Sequence, residues 1–318
     1  MDKRFNKNPK VSILVPIYGT EKYIEKCART LFEQTYDNIE YIFVNDCTKD
    51  ASVEILKKTI EDYPQRQSQI SIISHETNRG LAGSRLTGLQ NSTGDYIWCV
   101  DSDDYVDKNA IIEILFYMHQ GYDFISFNFY SDNGDEVIKF NSKPLTIDNL
   151  LTNVIPPSIW KCVVSKELYI KYCINPVIGI NSSEDYLLTA RLILVAKKSI
   201  LLDNNYLYYY NVANLNSYMN NVNVRSYENS ADSAIIVYDF YKQHNEISRY
   251  RIGLSFRLAM CYARLKNIDA VNSRCKKLAT VIKQMDRVCF FLANCPLNIS
   301  KKIFLLQTYR LLASKFTI

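Results

Sequence analysis

Four consecutive residues, Asp101-Ser102-Asp103-Asp104, put three carboxylates directly after an apolar run at residues 96–100. A short apolar run of this kind reads as a buried strand, and open α/β sheets bind ligands just beyond the C-terminal ends of their strands. Carboxylates so close together repel one another unless a cation sits among them, and hard oxygen ligands suit Mg²⁺ or Mn²⁺. A cation held that way commonly grips a diphosphate. The bland alternative is a solvated acidic turn, and the run taken alone does not decide between them. Two further carboxylate sites stand at element boundaries: Asp46, after a β-rich stretch at 39–44, and Glu184-Asp185, ahead of a helical stretch at 186–196.

The surrounding pattern must place these groups. Residues 11–15 (V-S-I-L-V), 39–44, 70–73, 96–100 and 123–129 read as strands. Between them, apolar residues at helical spacing predict helices over 21–32, 51–61 with Asp50 as N-cap, 81–90 and 109–119. Strand and helix alternate at βαβ spacing, which predicts an α/β fold with a mainly parallel, doubly wound sheet and helices on both faces. In such a sheet Asp46 and the acidic run lie at the same edge. The pattern loosens from 131 to 157, resumes with a short helix at 165–172, and gives a further strand at 206–210. Beyond residue 217 it is almost wholly helical, with segments near 229–243, 251–265, 269–285 and 300–313. No G-x-G-x-x-G follows the first strand and no P-loop sequence occurs, so a phosphate would need another device.

Composition bounds the alternatives. The 318 residues are 47% apolar and 22% charged, a globular and not a disordered balance. No window nears the roughly 18–20 apolar residues of a membrane span, and residues 1–10 are polar and mixed in charge, so no secretory leader is expected. Nine cysteines without a C-x-x-C pair read as reduced packing residues of a cytoplasmic protein. The three histidines, His75, His119 and His244, lack metal-ligand spacing. Charge is divided unevenly: residues 219–318 hold 16 Lys/Arg against 6 Asp/Glu, while residues 1–218 hold 22 against 27. The basic part suits an anionic membrane surface, a polyanionic substrate or simply water; no nucleic-acid-binding motif accompanies it.

Several stretches then fall into one pattern. V-S-I-L-V-P-I-Y (11–18), E-K-Y-I-E (21–25), L-F-E-Q-T-Y-D-N-I-E-Y-I-F-V-N-D (31–46), N-R-G-L-A-G-S-R (78–85), T-G-D-Y-I-W-C-V-D-S-D-D (93–104) and E-D-Y-L-L (184–188) occur in order and at matching separations. Together, over about residues 11–213, the sequence resembles the family 2 glycosyltransferases of the GT-A fold, a Rossmann-like α/β architecture, of the inverting, bacterial surface-polysaccharide type.

The resemblance implies a nucleotide-sugar-binding catalytic domain over residues 1–218 and a basic helical region over 219–318. Pro16 and Tyr18 would form the wall for the nucleotide base, and Asp46 would accept a hydrogen bond from the base, typically the imide N–H of uracil. Glu21, Arg85 and Ser102 fall with the nucleotide-binding set. Asp101 lies where the family contacts ribose or metal, and Asp103 where Mn²⁺ or Mg²⁺ is ligated. Asp185 falls at the position of the general base, with Glu184 beside it to hold the acceptor or orient that base. The implied partners are a nucleotide-sugar donor and a saccharide or lipid-linked saccharide acceptor, handled in the cytoplasm at the inner membrane face. A single base opposite the leaving group implies one displacement and inversion at the anomeric carbon.

Three departures from the family pattern involve four residues. Asn45 replaces the first of two acids, Cys47-Thr48 replaces Gly-Ser, and Gly19 replaces a frequent Asn. Two other readings stay open: a non-catalytic nucleotide- or glycan-binding module, and a sugar nucleotidyltransferase. The second would need a Gly-rich basic loop after the first strand, where this chain has P-I-Y-G-T-E.

Overall fold

Apolar and β-branched residues that leave no polar face, as in V-S-I-L-V, can only be satisfied inside a sheet covered on both sides. The computed structural model of the chain describes residues 8–143, 146–152, 154–214, 223–268 and 273–316. In it β1 (Val11–Ile17), α1 (Ile24–Phe32), β2 (Ile39–Asn45), α2 (Ser52–Glu61), β3 (Ile70–Ser74), α3 (Gly80–Asn91) and β4 (Tyr96–Cys99) alternate as the sequence predicts. There follow β5 (Tyr105–Val106), α4 (Ala110–His119), β6 (Phe124–Asp132), β7 (Val137–Phe140), α5 (Ile147–Leu151), β8 (Cys162–Ser165), α6 (Lys166–Lys171), α7 (Glu184–Val195) and β9 (Ser199–Asn211). Five helices complete the described residues: α8 (Val224–Gln243), α9 (Arg251–Asn267), α10 (Ser273–Met285), α11 (Arg287–Asn294) and α12 (Ile299–Phe316). The boundary expected at 218/219 lies outside the described residues.

The sheet runs β3-β2-β1-β4-β8-β6-β9-β5, with β7 paired to β6. Its first four strands are parallel, as is the β6–β9 pair, but β8 is antiparallel to both β4 and β6, and β5 and β7 are antiparallel to their partners. The sheet is therefore mixed: its longer pairings are parallel, as expected, and its short ones antiparallel. The added strands are short and have no βαβ crossover, so strand–helix alternation carries no sign of them.

The strand order reverses between β1 and β4, and at such a switch point the strand ends diverge to leave a crevice. Asp46 N donates to Ile17 O, and Val100 N donates to Leu14 O, each at 3.0 Å. The ends of β1, β2 and β4 thus meet at one edge. On one face Ile13, Val15, Tyr41, Phe43 and Trp98 pack in a single cluster with Cys27, Leu31 and Phe32 of α1 and Ile111 and Ile114 of α4. On the other, α3 lies so close that a Cβ on Gly88 would stand 3.3 Å from the Leu14 side chain.

The opposite edge is tied by Glu40. Its carboxylate accepts hydrogen bonds from Lys10 Nζ (2.7 Å), Ser12 Oγ, Thr93 N, Thr93 Oγ1 (2.7 Å) and Gly94 N (3.0 Å). Gly94 is required there, since a Cβ would lie 2.8 Å from Lys10 O. Burial pushes the Glu40 carboxyl up, but the bonds from Lys10, Ser12 and Thr93 outweigh it and hold the group down at about 2. A carboxyl lowered on folding contributes stability above its unfolded value, near 4.5, and loses it as pH falls toward 2. Full burial would make that about 3 kcal/mol, and solvent screening brings it to about 1–2 kcal/mol. Glu40→Gln should lower stability at pH 7 by about 1–2 kcal/mol, and its denaturant midpoint should fall less than the native one's as pH drops from 4.5 to 2.

Two compact units emerge from the contacts. The first comprises Met1–Leu145, Ser158–Gly179 and Val195–Ser217; the second comprises Thr146–Pro157, Ile180–Leu194 and Tyr218–Ile318. The second is organised on α9, which packs against α5, α8, α10, α11 and α12. Its Leu254, Leu258, Cys261 and Leu265 line one stripe and Phe256 lies opposite, all of them buried. Glu184 and Asp185, at the start of α7, belong to this unit.

Candidate active site

The acidic run is not a solvated turn. Asp104 is fully buried: its Oδ2 accepts from Tyr208 Oη at 2.6 Å and its Oδ1 from Asn211 N at 2.7 Å. The same Tyr208 hydroxyl accepts from Asp101 N at 3.1 Å. Asn211 Nδ2 donates to Asp103 O (3.1 Å) and Asn214 Nδ2 to Asp103 Oδ2 (2.8 Å). One strand, β9, and the residues after it therefore hold the run from behind. Tyr208 is fixed in turn by stacking on Trp160, centroids 4.5 Å apart, while Trp98 Nε1 donates to Trp160 O at 2.7 Å. Trp160 and Tyr208 are thus buried packing residues.

The three carboxylates divide their tasks. Arg85 Nη2 donates to Asp101 Oδ1 at 2.9 Å from a side chain on α3 that is only 2% exposed as a residue. Arg85, placed by the sequence beside a nucleotide, has Asp101 as its partner. Burial, and then repulsion from Asp101, push the Asp103 carboxyl up. Burial, then the charges of Asp103 and Asp101, push Asp104 well up. Ser102 is buried within the run. Among the described residues no cluster of three or more His, Cys, Asp or Glu is arranged to hold a metal ion. The donor set nevertheless fits a Mg²⁺ or Mn²⁺ that is completed by phosphate and water, which asks for only one or two carboxylates. Asp101 and Asp103 provide two, while Asp104 faces Tyr208 and Asn211.

Asp46, 3% exposed, accepts from Arg79 N (2.7 Å) and Gly80 N (2.8 Å) at the start of α3, and it pairs with His75 Nδ1 at 2.7 Å. His75 Nε2 meets Thr87 Oγ1 at 2.8 Å. The N-R-G stretch follows from this arrangement: Gly80 takes φ +74°, which glycine adopts without strain. His75, dismissed by metal-ligand spacing, orients Asp46.

The first loop carries Tyr18, 59% exposed beyond Pro16. Gly19 takes φ +71° and donates its N–H to Thr48 Oγ1 at 2.9 Å. Asn and Gly are the residues that tolerate this conformation, which accounts for one departure from the family. Glu21 Oε2 accepts from Ala51 N (3.0 Å) while Asp50 Oδ2 accepts from Glu21 N (2.9 Å), a reciprocal clasp between the loops after β1 and β2. Asp50 also accepts from Ser52 N at 3.2 Å. Cys47, where the family pattern has glycine, takes a positive φ of +62°. A left-handed non-glycine costs about 1–2 kcal/mol, and glycine's own entropy returns about half of that. Cys47→Gly should therefore stabilise by about 0.5–1 kcal/mol, read as a higher urea midpoint at unchanged slope.

In the second unit, Glu184 and Asp185 occupy the first turn of α7, where the helix dipole favours acids. Glu184 is buried and Asp185 half-buried. The preceding loop is pinned to α8, with Asn181 N donating to Asn229 Oδ1 (3.1 Å) and Ser183 Oγ meeting Ser230 Oγ (2.8 Å). Tyr186 is buried beneath, under the Arg257 guanidinium 4.0 Å from its ring centroid.

The sequence profile of glycosyl transferase family 2 matches residues 12–171, half of the chain. The chain belongs to that family. Among its relatives, the Bacillus subtilis glycosyltransferase EpsJ is 41% identical over 128 residues, 40% of this chain and 36% of that one. GlyA, a glycosyltransferase of Streptococcus pneumoniae, is 39% identical over 129 residues, 40% of this chain and 18% of that one. The aligned stretch thus spans about a third of the first relative's length and about a fifth of the second's. The fold extends further. Staphylococcus aureus TarS 1–349, solved in complex with UDP-GlcNAc, superposes with a TM-score of 0.63 at 20% identity, covering 95% of this chain and 92% of that one. A mannosyltransferase of Pyrobaculum calidifontis, solved with GDP-Man and Mn²⁺, gives 0.54 at 15% identity over 96% of this chain and 87% of that one. The architecture is GT-A, a mixed sheet with helices, followed by a helical region.

Proposed function

We propose that the chain is an inverting, metal-dependent glycosyltransferase. It moves a hexosyl or N-acetylhexosaminyl group from a nucleotide-sugar donor, a UDP-sugar, to a hydroxyl of a growing surface glycan or lipid-linked saccharide. Residues 1–218 are the catalytic domain and 219–318 a basic helical region. The observation that carries this reading is the acidic run, with Asp101 and Asp103 held at a sheet switch point by Arg85 and Asn214. Family membership and a TarS fold solved with UDP-GlcNAc support it.

Asp101 and Asp103 would hold Mn²⁺ or Mg²⁺, which when bound supplies Lewis-acid stabilisation to the charge gathering on the departing diphosphate. Tyr18 offers an exposed ring for the base to stack on. Asp46 already accepts three hydrogen bonds, and a carboxylate's roughly four lone-pair sites leave it one more for an imide N–H. Asp185 removes the acceptor proton as its oxygen attacks the anomeric carbon, and Glu184 orients that base or the acceptor. All nine cysteines are unbridged, in keeping with work in the reducing cytoplasm.

A panel of nucleotide sugars with Mn²⁺, Mg²⁺ or chelator tests the reading. One UDP-sugar at saturation should raise the melting temperature by about 5–10 °C, only with metal, and should be slowly hydrolysed. If no nucleotide sugar is bound or turned over with either metal, the reading fails.

A further inference from the structure

We infer that the outer face of α11 and α12 seats the chain on an anionic phospholipid bilayer. Residues 287–318 contain no Asp or Glu but five Lys or Arg. Of sixteen large apolar side chains that stand exposed among the described residues, six lie in this tenth of the chain: Val288, Phe291, Leu297, Phe304, Leu311 and Leu312. Phe291 and Phe304 are 69% and 66% exposed. A helix resting against water carries charge on its outer stripe. In α12 that stripe, at helical spacing, is Lys301, Phe304, Thr308 and Leu311, while Leu306 on the far side is fully buried. In α11 it is Arg287, Val288 and Phe291, with Cys289 and Ala293 turned inward.

Charge selects the occupant. A two-fold contact between copies would set this acid-free cationic face against itself, whereas anionic headgroups attract each basic residue that reaches the membrane surface. Arg287 and Lys301 form no ion pair among the described residues, and their long stems allow the charge to reach headgroups while Phe and Leu enter the acyl boundary. No helix among the described residues is long and apolar enough to cross a membrane, so α11 and α12 would lie in the plane of the interface. The inference rests on these two helices and not on the glycosyl-transfer reading.

Sedimentation of the full chain with vesicles tests it, comparing phosphatidylcholine alone with phosphatidylcholine mixed with phosphatidylglycerol. Partition should be at least about tenfold stronger with the anionic lipid and fall in high salt. Phe291→Ser with Phe304→Ser should reduce it about tenfold, and Arg287→Glu with Lys301→Glu by a similar factor. Melting temperature confirms that each variant is folded, and nucleotide-sugar hydrolysis in solution reads the separate functional proposal. Equal partition onto both lipids, or none at low salt, overturns the inference. So does a concentration-dependent dimer that the Phe→Ser pair abolishes while vesicle binding stays nil.

Discussion

Asp103→Asn should lower metal-dependent uptake of the nucleotide sugar by at least about 100-fold, since groups one step behind a metal ligand already account for about 10–100-fold. The same variant should melt no lower than the native chain without metal, and higher where the carboxylate is fully charged. Burial and the neighbouring Asp101 push the Asp103 carboxyl up, so the folded state favours its neutral form. A carboxyl raised on folding makes the folded state lose stability as pH climbs through the unfolded value toward the folded one, and the loss persists above both. Asparagine removes that penalty and keeps an oxygen to accept from Asn214 Nδ2. The native chain should take up metal and nucleotide less well as pH falls, starting at higher pH than an ordinary aspartate would dictate. Calorimetric titration of Mn²⁺ and nucleotide, beside melts with chelator, reads both halves. An Asp103→Asn chain that binds as tightly as the native one, or that melts well below it without metal, removes Asp103 from the cation site.

That opposition between stability and binding also explains which parts of the site could be read from sequence. Asp101, Asp103 and Asp104 announce themselves because three like charges in four residues are unfavourable without a compensating partner. Their local partners cannot be read. Tyr208 reaches Asp101 and Asp104 from more than a hundred residues away, and Asn211 and Asn214 come from the same distant stretch. His75 and Thr87 reach Asp46 only because β3 and α3 fold back over it. Nothing in the spacing of these residues distinguishes them from ordinary strand and turn positions.

The elements follow the same logic. Helices such as α8 and α9 were legible from their 3.6-residue periodicity, and β1, β2 and β4 from apolar runs set between helices. The strands β5, β7 and β8, of two to four residues, carry no period long enough to see. α11 was missed as a separate helix although Asp286 caps it, its Oδ1 accepting from Val288 N and Cys289 N at 3.0 Å each. The expected helices end at 285 and resume at 300, so the helix at Arg287–Asn294 falls in the gap between them. Start signals matter most where two short helices abut.

Asp185→Asn should spare the donor complex and lower turnover by about 10²–10⁴-fold, the usual contribution of a positioned general base. Two roles compete for this residue. As an acid in the first turn of α7 it favours the helix through the macrodipole, an effect of about 0.3–1 kcal/mol at such a site. As a base it removes a proton from the acceptor hydroxyl. Asparagine tests both, because it abolishes charge while keeping shape. If the helix role alone operates, the melting temperature falls slightly and turnover, measured at saturating donor and acceptor, stays near native. If Asp185 is the base, turnover falls with donor affinity unchanged, and the acid limb of the pH–rate profile disappears. Glu184→Gln, one residue earlier and buried, separates the two further. A group that only orients the base or the acceptor should lower turnover less and leave the acid limb in place. Near-native turnover in Asp185→Asn would return Asp185 to the helix terminus and leave the proton transfer to another group.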